Sequence, residues 1–313
     1  MTKKTFIIGF LFMLFQANAQ IIQTTLPDTV SYWKNKNRVG LDLSQISFVN
    51  WNAGGNNSIS GLLRGNFERN YAKNNLTWNN ELIFRYGINK QEGREVRKTD
   101  DQFQLNSNFG YKKDSISNWF YAGRFSFQTQ FANGYAYPNT ELAISRPFAP
   151  AYIFLGIGSE YSRKDLNLNV YLSPLTQKTT LVFDQRLANQ GAFGVNKAVL
   201  DADGNVIEKG KLYRNEIGIL ITNQWKKEVY KNMNLEHRVS LYTDYLNNFG
   251  NIDVDWQLQL EMVVNKYVRA NIGTHIVYDD DIKAKEEING EQVIVGPKIQ
   301  LKQLLGVGVV YEF

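Results

Sequence analysis

Residue types that commonly carry catalysis are scarce in this chain of 313 residues. It has no cysteine and only two histidines, His237 and His275, so thiol catalysis, disulfides and cysteine-ligated metals are excluded. A serine hydrolase needs a serine beside a histidine. His237 instead shares an alternating face with Leu235, Val239 and Leu241, and no serine stands beside it there. We therefore expect His237 to be an interfacial side chain and the protein to lack enzymatic activity.

Three further motifs resemble binding sites in part only. Asp279-Asp280-Asp281 precedes Glu286 and Glu287, and Asp201 to Asn205 forms a second acidic turn. Carboxylates bind calcium, but Gly204 comes too early for an EF-hand loop. Gly156-x-Gly158 lacks the third glycine of a dinucleotide fingerprint. We therefore expect solvated loop acids, wall-shaping glycines, a polar network that includes His275, and neither cofactor nor metal.

The composition indicates what kind of scaffold positions these residues. Aromatic residues make up 13% of the chain and hydrophobic residues 43%, yet the mean hydropathy is −0.37. This value argues against a helical membrane protein, and the aromatic content argues against disorder. The 35 basic residues are scattered among 30 acidic ones, which gives no support to nucleic-acid binding. A polar average with many aromatics predicts side chains that alternate between two environments.

That alternation has a period of two along most of the chain. Val254, Trp256, Leu258 and Leu260 share one face, and the intervening residues are polar. This spacing predicts strands, since a helix would scatter such residues around its circumference. Short and long connections also alternate between the strands. The pattern predicts an all-β fold: a closed transmembrane antiparallel β-barrel with short periplasmic turns and long extracellular loops.

The two ends of the chain support export to an outer membrane. Residues 1–19 read as a signal peptide, with Lys3 and Lys4 before an apolar stretch and an A-x-A cleavage site. We expect a periplasmic segment at 20–36 and the barrel at 37–313. The last strand alternates up to Tyr311 and Phe313. A terminal phenylalanine resembles the signal that outer-membrane barrels present to their assembly machinery.

The strand count depends on residues 166–187. Two strands separated by Pro174 would give an odd total, whereas one strand bent at Pro174 gives about twelve. We favour the bent strand, with fourteen strands as the other count. Residues 174–187 either continue the wall or fold inward as a plug.

The polar faces of the strands would line the lumen. Arginines and acids are nearly balanced on these faces, which favours a neutralising network that fills a narrow lumen over a polar channel. The predicted lumen-lining residues are Arg64, Glu68, Glu81, Arg85, Arg124, Glu160, Arg214, Glu216, Glu236, Arg238, Glu261 and Arg269.

Three stretches carry a resemblance to a known family. NWNAGGNNS (50–58), PFAPAYIFLGIG (147–158) and LSPLTQKTTLVFDQ (172–185) resemble an uncharacterised outer-membrane barrel family of Bacteroidota, a domain of unknown function. The resemblance implies a closed barrel in the outer membrane and brings no activity with it. Its motif positions that we would probe are Trp51, Gly54, Gly55, Pro150, Tyr152 and Pro174.

These observations leave two functions in different classes. The first is a non-enzymatic structural or accessory barrel of an envelope complex, related to assembly or secretion, whose long loops contact partner proteins. The alternative is a narrow pore for small polar solutes, and a barrel-embedded lipid hydrolase is a distant third. In each case the expected surroundings are outer-membrane lipid in a Gram-negative bacterium.

Overall fold

Twelve antiparallel strands close into a barrel in the computed structural model. The structure describes residues 31–47, 56–114, 116–247, 249–288 and 291–313. Each strand pairs with its neighbours in the chain, and the last pairs with the first, Val39 facing Tyr311. The strands are β1 Trp33–Ile46, β2 Ser58–Lys73, β3 Leu76–Gln91, β4 Arg97–Tyr111, β5 Trp119–Thr129, β6 Ala151–Arg163, β7 Leu168–Leu181, β8 Tyr213–Tyr230, β9 Met233–Asp244, β10 Asp253–Val263, β11 Val268–Tyr278 and β12 Gln300–Glu312. The predicted fold class and strand count are confirmed.

Connections of two kinds alternate around this barrel. We call the end with the connections 74–75, 112–118, 164–167, 231–232 and 264–267 the short-turn end, and the opposite end the long-loop end. β1 begins at Trp33 rather than at residue 37, because Trp33 pairs with Tyr71 of the long strand β2. At the long-loop end, β3 and β4 are joined by the short connection 92–96, since the two strands pair almost to their ends. The predicted signal peptide lies outside the described residues.

Pro174 lies within a single continuous strand, as predicted. On β7, Leu172 pairs with Ser159 and Leu175 pairs with Ile157, so the two residues between them form a bulge. Gly158 of β6 is required beside this bulge, because a Cβ atom there would collide with the Leu172 carbonyl oxygen. The extra residue changes which positions of β7 face inward. Residues 174–181 therefore continue the wall, and residues 182–187 leave it.

The outer face of the barrel is an exposed apolar surface. Half or more of each of the side chains of Phe109, Leu155, Ile157, Leu305 and Val309 is exposed. Aromatic rings cluster at the short-turn end, where the Trp33 ring lies 5.2 Å from Tyr71 and 5.7 Å from Trp78. An apolar surface of this extent with aromatic ends suits contact with lipid. Among the described residues, none of the helices combines the length and apolarity that a bilayer crossing requires.

Two of the loops at the long-loop end fold together into a cap. Residues 182–212 contain the helix α1, Gln185–Asn189, and a small hairpin that pairs Val199–Leu200 with Val206–Glu208. This hairpin confirms the turn predicted at Asp203-Gly204. Asp184 accepts a hydrogen bond from the Leu187 backbone at the start of α1 and forms an ion pair with Arg146 of the loop 130–150. The cap has a small apolar core of Ala149, Val182, Leu187, Ala188 and Val195.

Candidate functional site: the barrel lumen

A polar cavity of about 490 Å³ runs inside the barrel. The even positions of β2 and the odd positions of β3 point inward, so the alternation that exposes apolar residues to the outside sends polar ones to the cavity. Among its lining residues are the following predicted ones: Arg64, Glu68, Glu81, Arg85, Arg124, Glu236, Arg238 and Glu261.

Four predicted lumen residues do not line this cavity. Glu160 lies behind Arg124 and accepts a hydrogen bond from it. Arg214 and Glu216 belong to a separate ionic layer near the long-loop end. Arg269 donates to the Asn265 backbone carbonyl at the short-turn end. These four side chains are polar and positioned by ionic or backbone partners, but they are not the cavity surface.

Two ion pairs cross the lower lumen, towards the short-turn end. Arg238 of β9 lies 3.5 Å from Glu81 of β3, six strands away around the barrel. Arg38 of β1 lies 3.1 Å from Glu261 of β10. Asn66 and Asn106 also donate to Glu81 and fix its carboxylate. The bore at this level is therefore narrowed by paired charges from strands that lie three and six positions apart around the barrel.

An ionic layer closes part of the lumen near the long-loop end. The Lys178 ammonium lies 2.7 Å from Asp253, 3.4 Å from Asp279 and 3.8 Å from Glu216, and the Lys178 side chain is only 5% exposed. Its amine also lies over the Tyr242 ring. We name Lys178, Glu216, Asp253 and Asp279 the Lys178 cage.

Arg214 connects the Lys178 cage to the loops above it. It forms ion pairs with Glu216 at 3.4 Å and Asp281 at 2.7 Å, and it donates to the Gly194 carbonyl. Solvated acids were expected at Asp279 and Asp281, and that expectation is wrong. Both are held by cations, because the loop after β11 turns in over the lumen. Lys178 was not predicted to face the lumen, because the bulge at Pro174 shifts the inward positions of β7.

An apolar cluster fills the lumen beneath the cage. It consists of Ala122, Tyr171, Leu220 and Tyr242, with Phe154 packed against them. The Arg124 guanidinium lies 4.2 Å from the centre of the Tyr171 ring and donates to Thr222, Glu160 and Asn169. These residues come from β5 to β9. The cluster therefore packs part of that side of the barrel, while Arg124, Leu220 and Arg238 of the same strands also line the cavity.

Each histidine contacts a polar side-chain atom of a neighbouring strand. His237 accepts a hydrogen bond from the Trp256 indole at 2.9 Å. His275 lies on the cavity wall with its Nε2 atom 2.9 Å from Asp255. In the described part of the chain, no three histidine, aspartate or glutamate side chains form a group that could hold a metal ion.

The three described family-motif positions, Pro150, Tyr152 and Pro174, shape the wall and are not among the residues that line the cavity. Pro150 accepts a hydrogen bond from Thr129 just before β6. Pro174 accepts one from the Tyr245 hydroxyl at 2.5 Å. Tyr152 pairs with Gln128 and Thr180 of the neighbouring strands. Trp51, Gly54 and Gly55 lie outside the described residues.

The C-terminal residues close the seam of the barrel. Phe313 exchanges two backbone hydrogen bonds with Asn37, at 3.0 and 3.1 Å. Its ring stacks on Tyr311 at 5.4 Å. The backbone of Phe313 thus extends the pairing of β12 with β1, and its use as an assembly signal stays a prediction.

Comparison with known proteins gives a family match and remote structural likenesses. Residues 43–135 match a family described as a protein of unknown function, DUF3078. No match was found among curated protein sequences. An outer-membrane channel from Pseudomonas putida F1 is 10% identical, with 92% of this chain and 100% of that chain covered and a TM-score of 0.40. The translocator domain of the autotransporter NalP from Neisseria meningitidis is 10% identical, with 92% and 91% covered and a TM-score of 0.38. The NanC porin is 11% identical, with 88% and 97% covered and a TM-score of 0.33.

Proposed function

We propose that this protein is a narrow outer-membrane channel for small polar solutes. The observation that carries the proposal is the cavity of about 490 Å³, which extends from Lys36 and Glu68 at the short-turn end to Gln128 and Lys302 near the long-loop end. A lumen that served only as packing would be filled throughout, as it is around Tyr171 and Tyr242. A wall of charged and amide groups instead keeps water and polar solutes in contact with hydrogen-bonding partners.

The location of this channel follows from the predicted signal peptide, the last strand and the apolar outer face. Residues 1–19 direct export, and the barrel assembly machinery inserts the chain by recognising its last strand. The exposed apolar face then contacts outer-membrane lipid, with the short turns in the periplasm. The channel has no enzymatic activity. Lipid-hydrolysis rates of the wild type and His237→Ala would test that last statement, and a difference between them would contradict it.

Conductance in planar bilayers tests the channel directly. The purified, refolded wild-type chain should form stable narrow channels. Replacing Arg238 by Ala removes the link to Glu81 across the lumen, and single-channel conductance should rise. Arg163→Ala is the matched control, because Arg163 pairs with Asp165 at a short turn and is not among the residues that line the cavity. Refolded wild-type protein that never conducts would refute the proposed function.

An accessory role in an envelope complex is the second candidate. It is supported by the folded cap, whose hairpin exposes half or more of Val199, Leu200 and Ile207 above the barrel. Replacing these three residues by serine should abolish co-purification of a defined partner from envelopes while the barrel still folds. Unchanged co-purification, or none with the wild type, would argue against this role.

A further inference from the structure

We propose that Arg64, Arg85 and Lys302 form a binding site for a small oxyanion, a carboxylate or a phosphate, in the upper lumen. This inference rests on the proposed channel function and gives it a solute class. The three residues lie on the cavity wall towards the long-loop end, on β2, β3 and β12. We call them the basic wall.

The basic wall presents its cations to the cavity and its acids away from it. Arg64 pairs with Asp42 at 2.9 Å, and Asp100 pairs with both Arg85 and Lys302 at 2.6 Å. The side chains of Asp42 and Asp100 are 7% and 8% exposed, whereas those of Arg64, Arg85 and Lys302 are 19%, 24% and 42% exposed. Three cations thus share two carboxylates, and a solute in the cavity meets the cations.

The arginine pair also has unused donor capacity. Arg64 and Arg85 stand directly opposite each other on neighbouring strands, an arrangement in which like charges repel. Each contacts its carboxylate through Nη2. Among the described residues, the buried Nε atoms of both arginines lack a hydrogen-bond partner. A guanidinium binds a planar or tetrahedral oxyanion through paired N–H groups, so a solute oxyanion would relieve the repulsion.

The acids on the cavity wall are fewer than its cations. Glu81 and Glu261 are paired with Arg238 and Arg38 lower in the lumen, and Asp255 is held beside His275. Over the whole cavity wall, among the described residues, lysine and arginine outnumber aspartate and glutamate by eight to five. The excess favours anions over cations within the bore.

The first measurement is the zero-current potential across a planar bilayer that separates two KCl concentrations. The wild type should prefer chloride over potassium. Arg64→Gln with Arg85→Gln should abolish this preference, whereas Asp100→Asn should increase it by freeing Arg85 and Lys302. Arg163→Gln removes one positive charge outside the lumen and should leave the preference unchanged. A wild-type channel that is unselective or cation-selective would overturn the inference.

A second measurement does not depend on conductance. The thermal unfolding midpoint of the refolded protein in detergent is compared in sodium phosphate, sodium acetate and sodium chloride at equal ionic strength. Phosphate or acetate should raise the wild-type midpoint above that in chloride, and the double variant should lose this rise. If the double variant does not fold, Lys302→Gln replaces it, because that side chain is the most exposed of the three.

The two measurements separate the possible failures. Stabilisation by phosphate or acetate without conductance would refute the channel and keep the oxyanion site. Conductance without anion preference, and without stabilisation by either oxyanion, would keep the channel and refute the site.

Discussion

The lumen of this barrel has two halves, of which one is largely packed with side chains and the other encloses most of a cavity. Between β5 and β9, the apolar cluster around Tyr171 and Leu220 fills the interior, and the Lys178 cage covers it. From β10 through β12 to β4, glutamines, asparagines and paired arginines line most of a cavity, whose wall also includes Arg124, Gln224 and Arg238 of β5, β8 and β9. We call these the packed half and the open half. The packed half resembles the core of a soluble protein, and the open half resembles a solvated surface turned inward.

This difference indicates which half of the lumen determines the stability of the barrel and which half determines permeation. A buried charge needs its partners, because removing one leaves the others in a medium of low dielectric constant. A charge that faces water loses little when its partner is removed. The packed half should therefore determine the free energy of unfolding, while the open half determines which solutes pass.

The largest expected loss of stability follows from a substitution in the Lys178 cage. Lys178→Met should destabilise the barrel by about 3–5 kcal/mol, because Glu216, Asp253 and Asp279 lose their shared cation. Lys302→Met in the open half is the matched control. Its side chain is 42% exposed and Asp100 keeps Arg85, so its cost should be below about 1 kcal/mol. Urea unfolding in lipid vesicles, followed by tryptophan fluorescence, measures both. Equal midpoints for the two variants would remove the distinction between the halves.

The apolar cluster tests the same distinction without changing a charge. Leu220→Ala should cost about 2–5 kcal/mol, because Leu220 is 7% exposed and packs among Tyr171 and Tyr242. In the open half, Gln257→Ala removes one hydrogen bond to Asp255, of 3.3 Å, and should change stability by about 0.5 kcal/mol or less. The same urea experiment applies. A similar loss in both variants would mean that the open half is packed in the membrane.

A charge placed on the outer face should cost the same stability beside the packed half as beside the open half. Ile221 of β8 lies outside the packed half and Ile272 of β11 outside the open half, with 38% and 44% exposure. Arginine at either position near mid-strand should cost about 2–4 kcal/mol in a bilayer. The folded fraction in vesicles, read from heat-modifiable gel mobility, measures this. Tolerance of arginine at Ile272 together with intolerance at Ile221 would show that lipid contacts only one side of the barrel.

The sequence predicted the shell of the molecule better than its interior. Period-two alternation predicted the strands, and the odd total that two strands would give identified β7 as a single strand bent at Pro174. Which residues meet inside was harder to predict. Lys178 lies beyond a bulge that exchanges the inward and outward positions, and Asp253 and Asp279 reach it from other strands. Alternation gives the direction of a side chain, whereas contacts across a lumen depend on strand stagger and loop path.

In the open half, the contacts of Arg38 and Lys302 were equally hard to predict from the sequence. Both lie on alternating strands, and their contacts with Glu261 and Asp100 join residues that are 223 and 202 positions apart in the chain. Balanced charge predicted a neutralising network correctly in kind. It could not indicate where the interior would be packed and where a cavity would remain, because the aromatic residues that fill the packed half have the same spacing as those that face lipid.

The smallest expected effect on stability follows from a substitution in the cap hairpin, which lies outside both halves. Asp201 accepts hydrogen bonds from the Asn205 side chain and from the backbone of Asn205 and Asp203, and the Asn205 amide holds the pKa of the Asp201 carboxyl below its ordinary value of 3.8. The turn should therefore be fully stabilised above that value and lose this contribution as the pH falls through the lowered pKa. Carboxyl carbon shifts of labelled aspartate in micelles measure the titration. Asn205→Ala should move the Asp201 midpoint upward and leave the urea midpoint unchanged. A shifted urea midpoint would mean that the cap hairpin contributes to the stability assigned here to the packed half.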